Sequence, residues 1–313
     1  MQQDSAQNGT PIVFFGTQTF ACHILQGLLQ SPFFHVSLVI TQPDKPVGRK
    51  KVLTPSPVKT LAQSFEIPTE TPNSLKNYQI PPGSPALAVV AQYGKIIPES
   101  ILNSFSMGVI NVHTSLLPKY RGASPIQSAI VNGDTQTGVT IMLMDVGMDT
   151  GPILSYETLR ILPDDTYPEV DQKLANIGSE LLLQTLPKVL DGTITPQKQN
   201  DSEATACKML SREDGKIHWD TMKANHIYNL YRGLTPWPGV WTTLDGLRLK
   251  LHKITPSEKG IPAGVLLFED GKIYVGAMEG SIEILDLQLE GKPSMNAQTF
   301  INGFQKYNHA HLI

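Results

Sequence analysis

Apolar residues in the first two-thirds of the chain form short continuous runs, separated by stretches with helical spacing. Residues 11–15 are one such run, ending at Gly16; Phe20, Ile24, Leu25, Leu28 and Leu29 then recur at the spacing of a single helix face. Residues 35–40, 86–91, 108–113 and 138–144 read as further strands, and 125–132 as a short helix. The run at 86–91 is apolar throughout, as a strand covered on both faces must be. Residues 167–190 read as a long helix with Leu174, Ile177, Leu181, Leu182 and Leu186 on its buried side, and Pro187 is expected to kink or end it. Strands alternating with helices predict an α/β domain: a Rossmann-like parallel sheet with right-handed crossovers.

The pattern changes after Asp191-Gly192. Residues 193–210 are polar without clean periodicity and read as the approach to a second domain. The expected division is 1–194, a linker at 195–210, and 211–313. A helix at 221–231 precedes the break Pro236-Trp237-Pro238-Gly239. Short strands follow at 240–244, 247–252, 264–268, 272–276 and 282–289, two of the junctions being Asp-Gly turns (Asp245-Gly246 and Asp270-Gly271). Five short strands in so little chain predict a small antiparallel β-barrel, OB-like in size. His309 and His311 are expected in a frayed end.

Length agrees with two domains, since 313 residues exceed one typical core. A net charge of −3 argues against diffuse nucleic-acid binding and leaves the position of charge to decide. Cys22 and Cys207 offer neither a disulfide framework nor a zinc motif, and both read as small buried hydrophobes in a reducing compartment. The opening residues lack the apolar stretch of a signal peptide, and no apolar run approaches the ~20 residues of a membrane span. A cytoplasmic protein with no membrane partner is expected.

The first strand-to-helix turn, Gly16-Thr17-Gln18-Thr19-Phe20, has one glycine where a dinucleotide fingerprint needs three, and no Walker motif occurs. Chemistry concentrates instead at Asn111-Val112-His113, at the end of a predicted strand, where open α/β sheets bind ligands. Two residues apart, Asn111 and His113 leave the strand on one face. Asp149 lies between Gly147 and Gly151 after the next strand and reaches the imidazole if the two strands are neighbours. An amide and an imidazole suit a developing oxyanion, and a carboxylate suits proton removal from an attacking amine. Taken from spacing alone, a buried structural histidine, a turn asparagine and a capping aspartate remain equally open. Ser115 and Ser124 lie outside any nucleophile elbow, and no second histidine or cysteine stands at metal-ligand spacing. Lys45, Arg49, Lys50, Lys51 and Lys59 face one acid, Asp44. That loop suits phosphates, or is a solvated basic turn.

The run from Asn111 through Pro118 to Gln127, with Asp145-Val146-Gly147-Met148-Asp149-Thr150-Gly151, resembles the paired signatures of the folate-dependent formyltransferases. The resemblance implies catalytic roles for Asn111, His113 and Asp149. It implies a folate site bordered by Ser115, Leu116, Leu117 and Pro118, and 10-formyltetrahydrofolate as co-substrate with no metal. The loop from Gln42 to Lys51 and the Pro236-Trp237-Pro238-Gly239 break are similar to the branch whose acceptor is the α-amine of methionyl-tRNA. For that branch the partner is an aminoacylated initiator tRNA, contacted here by Lys45, Arg49, Lys50 and Lys51, and the enzyme is expected to be a monomer.

Overall fold

The computed structural model describes residues 9–48 and 50–313. In chain order its elements are β1 (Thr10–Gly16), α1 (Thr19–Gln30), β2 (Phe34–Ile40), β3 (Lys45–Val47), β4 (Val52–Thr54), α2 (Pro57–Ser64), β5 (Thr69–Glu70), β6 (Ala88–Ala91), α3 (Glu99–Leu102), β7 (Val109–His113) and β8 (Arg121–Gly122). There follow α4 (Pro125–Val131), β9 (Gln136–Leu143), β10 (Ile153–Arg160), α5 (Tyr167–Leu190), β11 (Ala206–Cys207) and α6 (Ala224–Leu234). The last are β12 (Val240–Leu244), β13 (Leu247–Ser257), β14 (Leu266–Glu269), β15 (Lys272–Gly276), β16 (Ser281–Leu289), β17 (Met295–Asn296) and α7 (Ala297–Gly303). Two compact units emerge. One takes in the chain through Pro125 with Thr137–Leu159 and Asp171–Cys207; the other takes in Ile126–Gln136, Arg160–Val170 and Lys208–Ile313.

Seven strands of the first unit form one sheet in the order β10-β9-β7-β6-β1-β2-β5. From β5 to β7 the pairings are parallel, as the alternating pattern predicts. β9 breaks the rule and runs antiparallel to β7, with Asn111 opposite Met142 and His113 opposite Thr140. The sheet is therefore mixed rather than parallel. The physical reason is that the connection after His113 returns the chain to the sheet at the same end, so β9 has to run back. β10 escaped sequence analysis because its middle residues are exposed and it lacks apolar alternation.

Val13, Phe15, Leu38, Ile40, Ala88, Val90 and Val109 line one side of this sheet, packed with Tyr93, Ile97, Ile101 and Phe105. On the other side α5 sits close because Gly178 has no side chain. A Cβ there would lie 3.2 Å from Val112 and 3.3 Å from Ile24 of α1. Alternation along β7 then turns Asn111 and His113 away from the helices. Pro187 does not end α5 at its own position, and the helix runs on to Leu190. Cys207 is buried as expected, whereas Cys22 is half-buried, and burial pushes its thiol up to about 11. No helix of the described residues is long and apolar enough to cross a membrane.

In the second unit, the antiparallel order β12-β13-β16-β15-β14, with β17 on β16, matches the expected run of short strands. The two Asp-Gly turns carry both residues at positive φ, 51° and 76° at Asp245-Gly246 and 52° and 75° at Asp270-Gly271, as two-residue hairpins require. The chain end does not fray. Leu312 donates to Gly264, Leu266 donates to Ala310, and Ile313 exchanges two backbone hydrogen bonds with Thr243 of β12. The last residues thus bridge the two edges of the sheet, and Leu312 is 1% exposed in its core. Leu312→Ala is expected to cost about 2–4 kcal/mol, measured as a shift in the urea unfolding midpoint at unchanged slope.

Candidate active site

Asn111 and His113 stand on one face of β7, 9% and 6% exposed. Because β9 opposes β7, the chain leaves β9 near the start of β7, where Met144 donates its backbone N–H to Val109. It must then double back to bring an acid over the middle of β7. Gly151 makes the reversal tight: a Cβ there would lie 1.9 Å from the carbonyl oxygen of Leu143. Asp149 takes a left-handed conformation, φ 55°. Asp145 caps the loop by accepting from the N–H of Gly147 at 3.1 Å and from the hydroxyl of Thr150 at 2.7 Å.

The carboxylate of Asp149 lands between three groups. Its Oδ2 accepts from the N–H of Gly122 at 2.8 Å. Its Oδ1 lies 3.4 Å from Asn111 Nδ2 and 3.7 Å from His113 Nδ1. His113 Nε2 lies 3.0 Å from the carbonyl of Tyr120. A carbonyl only accepts, so that nitrogen carries a proton and Nδ1 is left facing the acid. Tyr120 reaches this pose at φ 59°, and its own N–H is held by the hydroxyl of Thr205 at 2.9 Å. Asn111, His113 and Asp149, singled out by spacing, are thus brought into one site.

The neighbouring run is built from inside. Thr140, fully buried on β9, donates to the carbonyl of Ser115 at 2.7 Å and accepts from the N–H of Leu117 at 3.2 Å. Ser115 is also fully buried and donates to the carbonyl of Lys119 at 2.6 Å, so its hydroxyl is committed within the loop. Leu116 leans on Gly138, Leu117 is buried, and Pro118 is half-buried after a cis bond. Beyond β6, the carbonyl of Tyr93 accepts from Thr17 and Gln42. Burial pushes its phenol up to about 12.

The basic loop is a hairpin, with Lys45 opposite Thr54 and Val47 opposite Val52. Lys45, Lys50 and Lys51 are exposed; Arg49 lies outside the described residues. Lys59 pairs with Asp44 at 2.7 Å, so the one acid of the loop is neutralised at its base. No group of three histidine, cysteine, aspartate or glutamate side chains among the described residues is placed to hold a metal ion.

Two further side chains shape the site without having been singled out by sequence. Gln199, 5% exposed, donates to the carbonyls of Asp149 at 2.8 Å and Gly151 at 2.7 Å. Its own oxygen accepts from Arg121 Nε at 3.0 Å and Nη2 at 2.8 Å, and Arg121 also reaches Asp201 at 2.8 Å. The stretch expected to link two domains therefore contributes to the first unit through residue 207. Arg121 lay within the recognisable run; Gln199 gave no signal, being one polar residue in a polar segment.

The profile described as "Formyl transferase" matches residues 10–186, and "Formyl transferase, C-terminal domain" matches residues 209–305. The chain belongs to the formyl transferase family. A "Methionyl-tRNA formyltransferase" from Caldicellulosiruptor saccharolyticus is 42% identical over 304 residues, covering 94% of this chain and 97% of the relative. Among solved structures, an N-formyltransferase from Helicobacter canadensis in complex with folinic acid and dTDP-3-aminofucose superposes at a TM-score of 0.66 and 20% identity, covering 88% of this chain and 98% of that one. A variant of HypX from Aquifex aeolicus superposes at 0.64 and 16% identity over 96% of this chain, which spans 50% of that longer one. At these identities the two structures speak for the fold.

At the Asp149 loop, Gly151→Ala is expected to force the reversal open. The loss is about 2 kcal/mol or more, with faster solvent exchange of the Gly122 amide as Asp149 withdraws. Unchanged stability and unchanged exchange would refute the packing role given to Gly151.

Proposed function

We propose that this chain transfers a formyl group from 10-formyltetrahydrofolate to the α-amine of methionyl-tRNA. The observation that carries the reading is the meeting of Asn111, His113 and Asp149, in a chain 42% identical over nearly its whole length to a relative named for that reaction. When bound, 10-formyltetrahydrofolate supplies a formyl carbonyl on nitrogen. Asn111 spends one amide N–H on a long contact with Asp149 and keeps the other to donate to the carbonyl oxygen as charge builds there. His113, whose Nδ1 faces the same space, joins it as a donor when that nitrogen carries a proton. Asp149 takes the proton that the attacking amine loses and returns it toward the departing nitrogen. Ser115, Leu116, Leu117 and Pro118 serve the folate by shape, since the Ser115 hydroxyl is already committed.

The acceptor would be held by the hairpin and the second unit, in a cytoplasmic monomer. Lys45, Lys50 and Lys51 gather positive charge at the hairpin, with Arg49 beside them in sequence, in a chain of net charge −3, where phosphates are the natural ligand. A second reading, transfer to an amino-sugar nucleotide, draws on the fold shared with the Helicobacter canadensis protein. Incubation with 10-formyltetrahydrofolate and each acceptor in turn separates them; formyl transfer to the sugar and not to charged tRNA would overturn the first reading.

Asn111→Ala is expected to lower kcat by about 10²–10³-fold, and Asp149→Asn by about 10²–10⁴-fold, with folate affinity kept in both, as measured by single-turnover transfer and direct titration. Replacing Lys50 and Lys51 together by Glu is expected to raise KM for the tRNA and flatten its salt dependence by about one slope unit per lost contact, leaving folate binding intact. Identical salt slopes in the variant and the parent would remove the hairpin from tRNA recognition.

A further inference from the structure

Residues 187–208 fall between the two family matches, yet two of their side chains reach the site from outside. Gln199 donates to the backbone of Asp149 and Gly151, on either side of the reversal. Thr205 accepts from the N–H of Tyr120, whose carbonyl fixes the ring of His113. The same segment is stapled down by parallel pairing of Ala206 with Arg121 and by the bridge from Gln197 to Ile153.

We propose that Gln199 is a positioning residue for formyl transfer: its amide holds Asp149 in the left-handed pose that sets the carboxylate against Asn111 and His113. This rests on the formyl-transfer reading above. Its orientation is not ambiguous. The Nε and Nη2 of Arg121 can only donate and both carbonyls can only accept, so the oxygen faces Arg121 and the nitrogen faces the loop. All four hydrogen-bonding positions of the amide are filled at 2.7–3.0 Å. A left-handed aspartate is disfavoured unless its surroundings hold it. Within the loop itself, Asp145 secures only Gly147 and Thr150. The carbonyls on either side of Thr150 are secured by Gln199. Arg121 acts one step further out, fixing the amide rather than the acid.

The sharpest variant is Gln199→Glu, which keeps shape and a partner for Arg121 but presents oxygen to two carbonyls. Gln199→Met removes every hydrogen bond and serves as the second variant. Both are compared with the parent full-length protein by thermal unfolding, by exchange of the Gly122 amide, which reports on Asp149 through its own hydrogen bond, and by kinetics with methionyl-tRNA. In the variants that fold, Gly122 exchange is expected to quicken at least ~10-fold and kcat to fall at least ~10-fold, with KM for both substrates within about threefold. Unchanged Gly122 protection, a kcat within about twofold of the parent, or a loss confined to KM would each overturn the assignment. Loss of folding by both variants would make Gln199 a stability element and overturn it as well. A parent protein that transfers no formyl group would instead defeat the functional reading, while the Gly122 exchange still decides whether Gln199 holds Asp149.

Discussion

The site depends on the direction of one strand. β9 lies beside β7 but runs against it, so the acid that follows β9 starts at the wrong end of β7 and has to be carried back. A tight reversal achieves this with a glycine whose Cβ position is occupied by backbone and an aspartate in a conformation that L-residues disfavour. The carboxylate then finds a backbone N–H, an amide and an imidazole nitrogen within 3.7 Å. Remove the reversal and Asn111 and His113 remain on their strand with no acid in reach.

Rigidity on the two sides of the site has different sources. The β7 side is fixed by the sheet core and by the close seating of α5 at Gly178. Above it, the reversal around Asp149 gains little from apolar packing, since its Val146 and Met148 are 70% and 62% exposed. There, polar groups do the holding: Thr140 on the Ser115–Leu117 backbone, Thr205 on Tyr120, Gln199 on the reversal. Thr140 and Gln199 are buried and satisfied on both their donor and acceptor sides, which is what makes buried polar contacts stabilising rather than costly.

What could be read from the residues follows from range. Asn111 and His113 share a face because strands alternate, a rule that needs two residues of sequence. The long helix was legible for the same reason: Leu174, Leu182 and Leu186 repeat within it and are buried. The direction of β9 was not, because it depends on where a connection of more than twenty residues returns to the sheet. β3 and β4 were missed because every residue in them is exposed and no alternation marks them. Gln199 was invisible because its partners are carbonyls fifty residues away, and a carbonyl leaves no trace in a sequence.

The bridging of the second sheet by the last residues has a consequence for biosynthesis. Thr243 pairs with Ile313, so β12 waits for a partner that is made much later in the chain. Until residues 310–313 have emerged from the ribosome, both edges of the sheet stand open. The first unit gathers its residues up to position 207 and is free to form earlier. The second closes only when residues 310–313 have taken their places along its two edges.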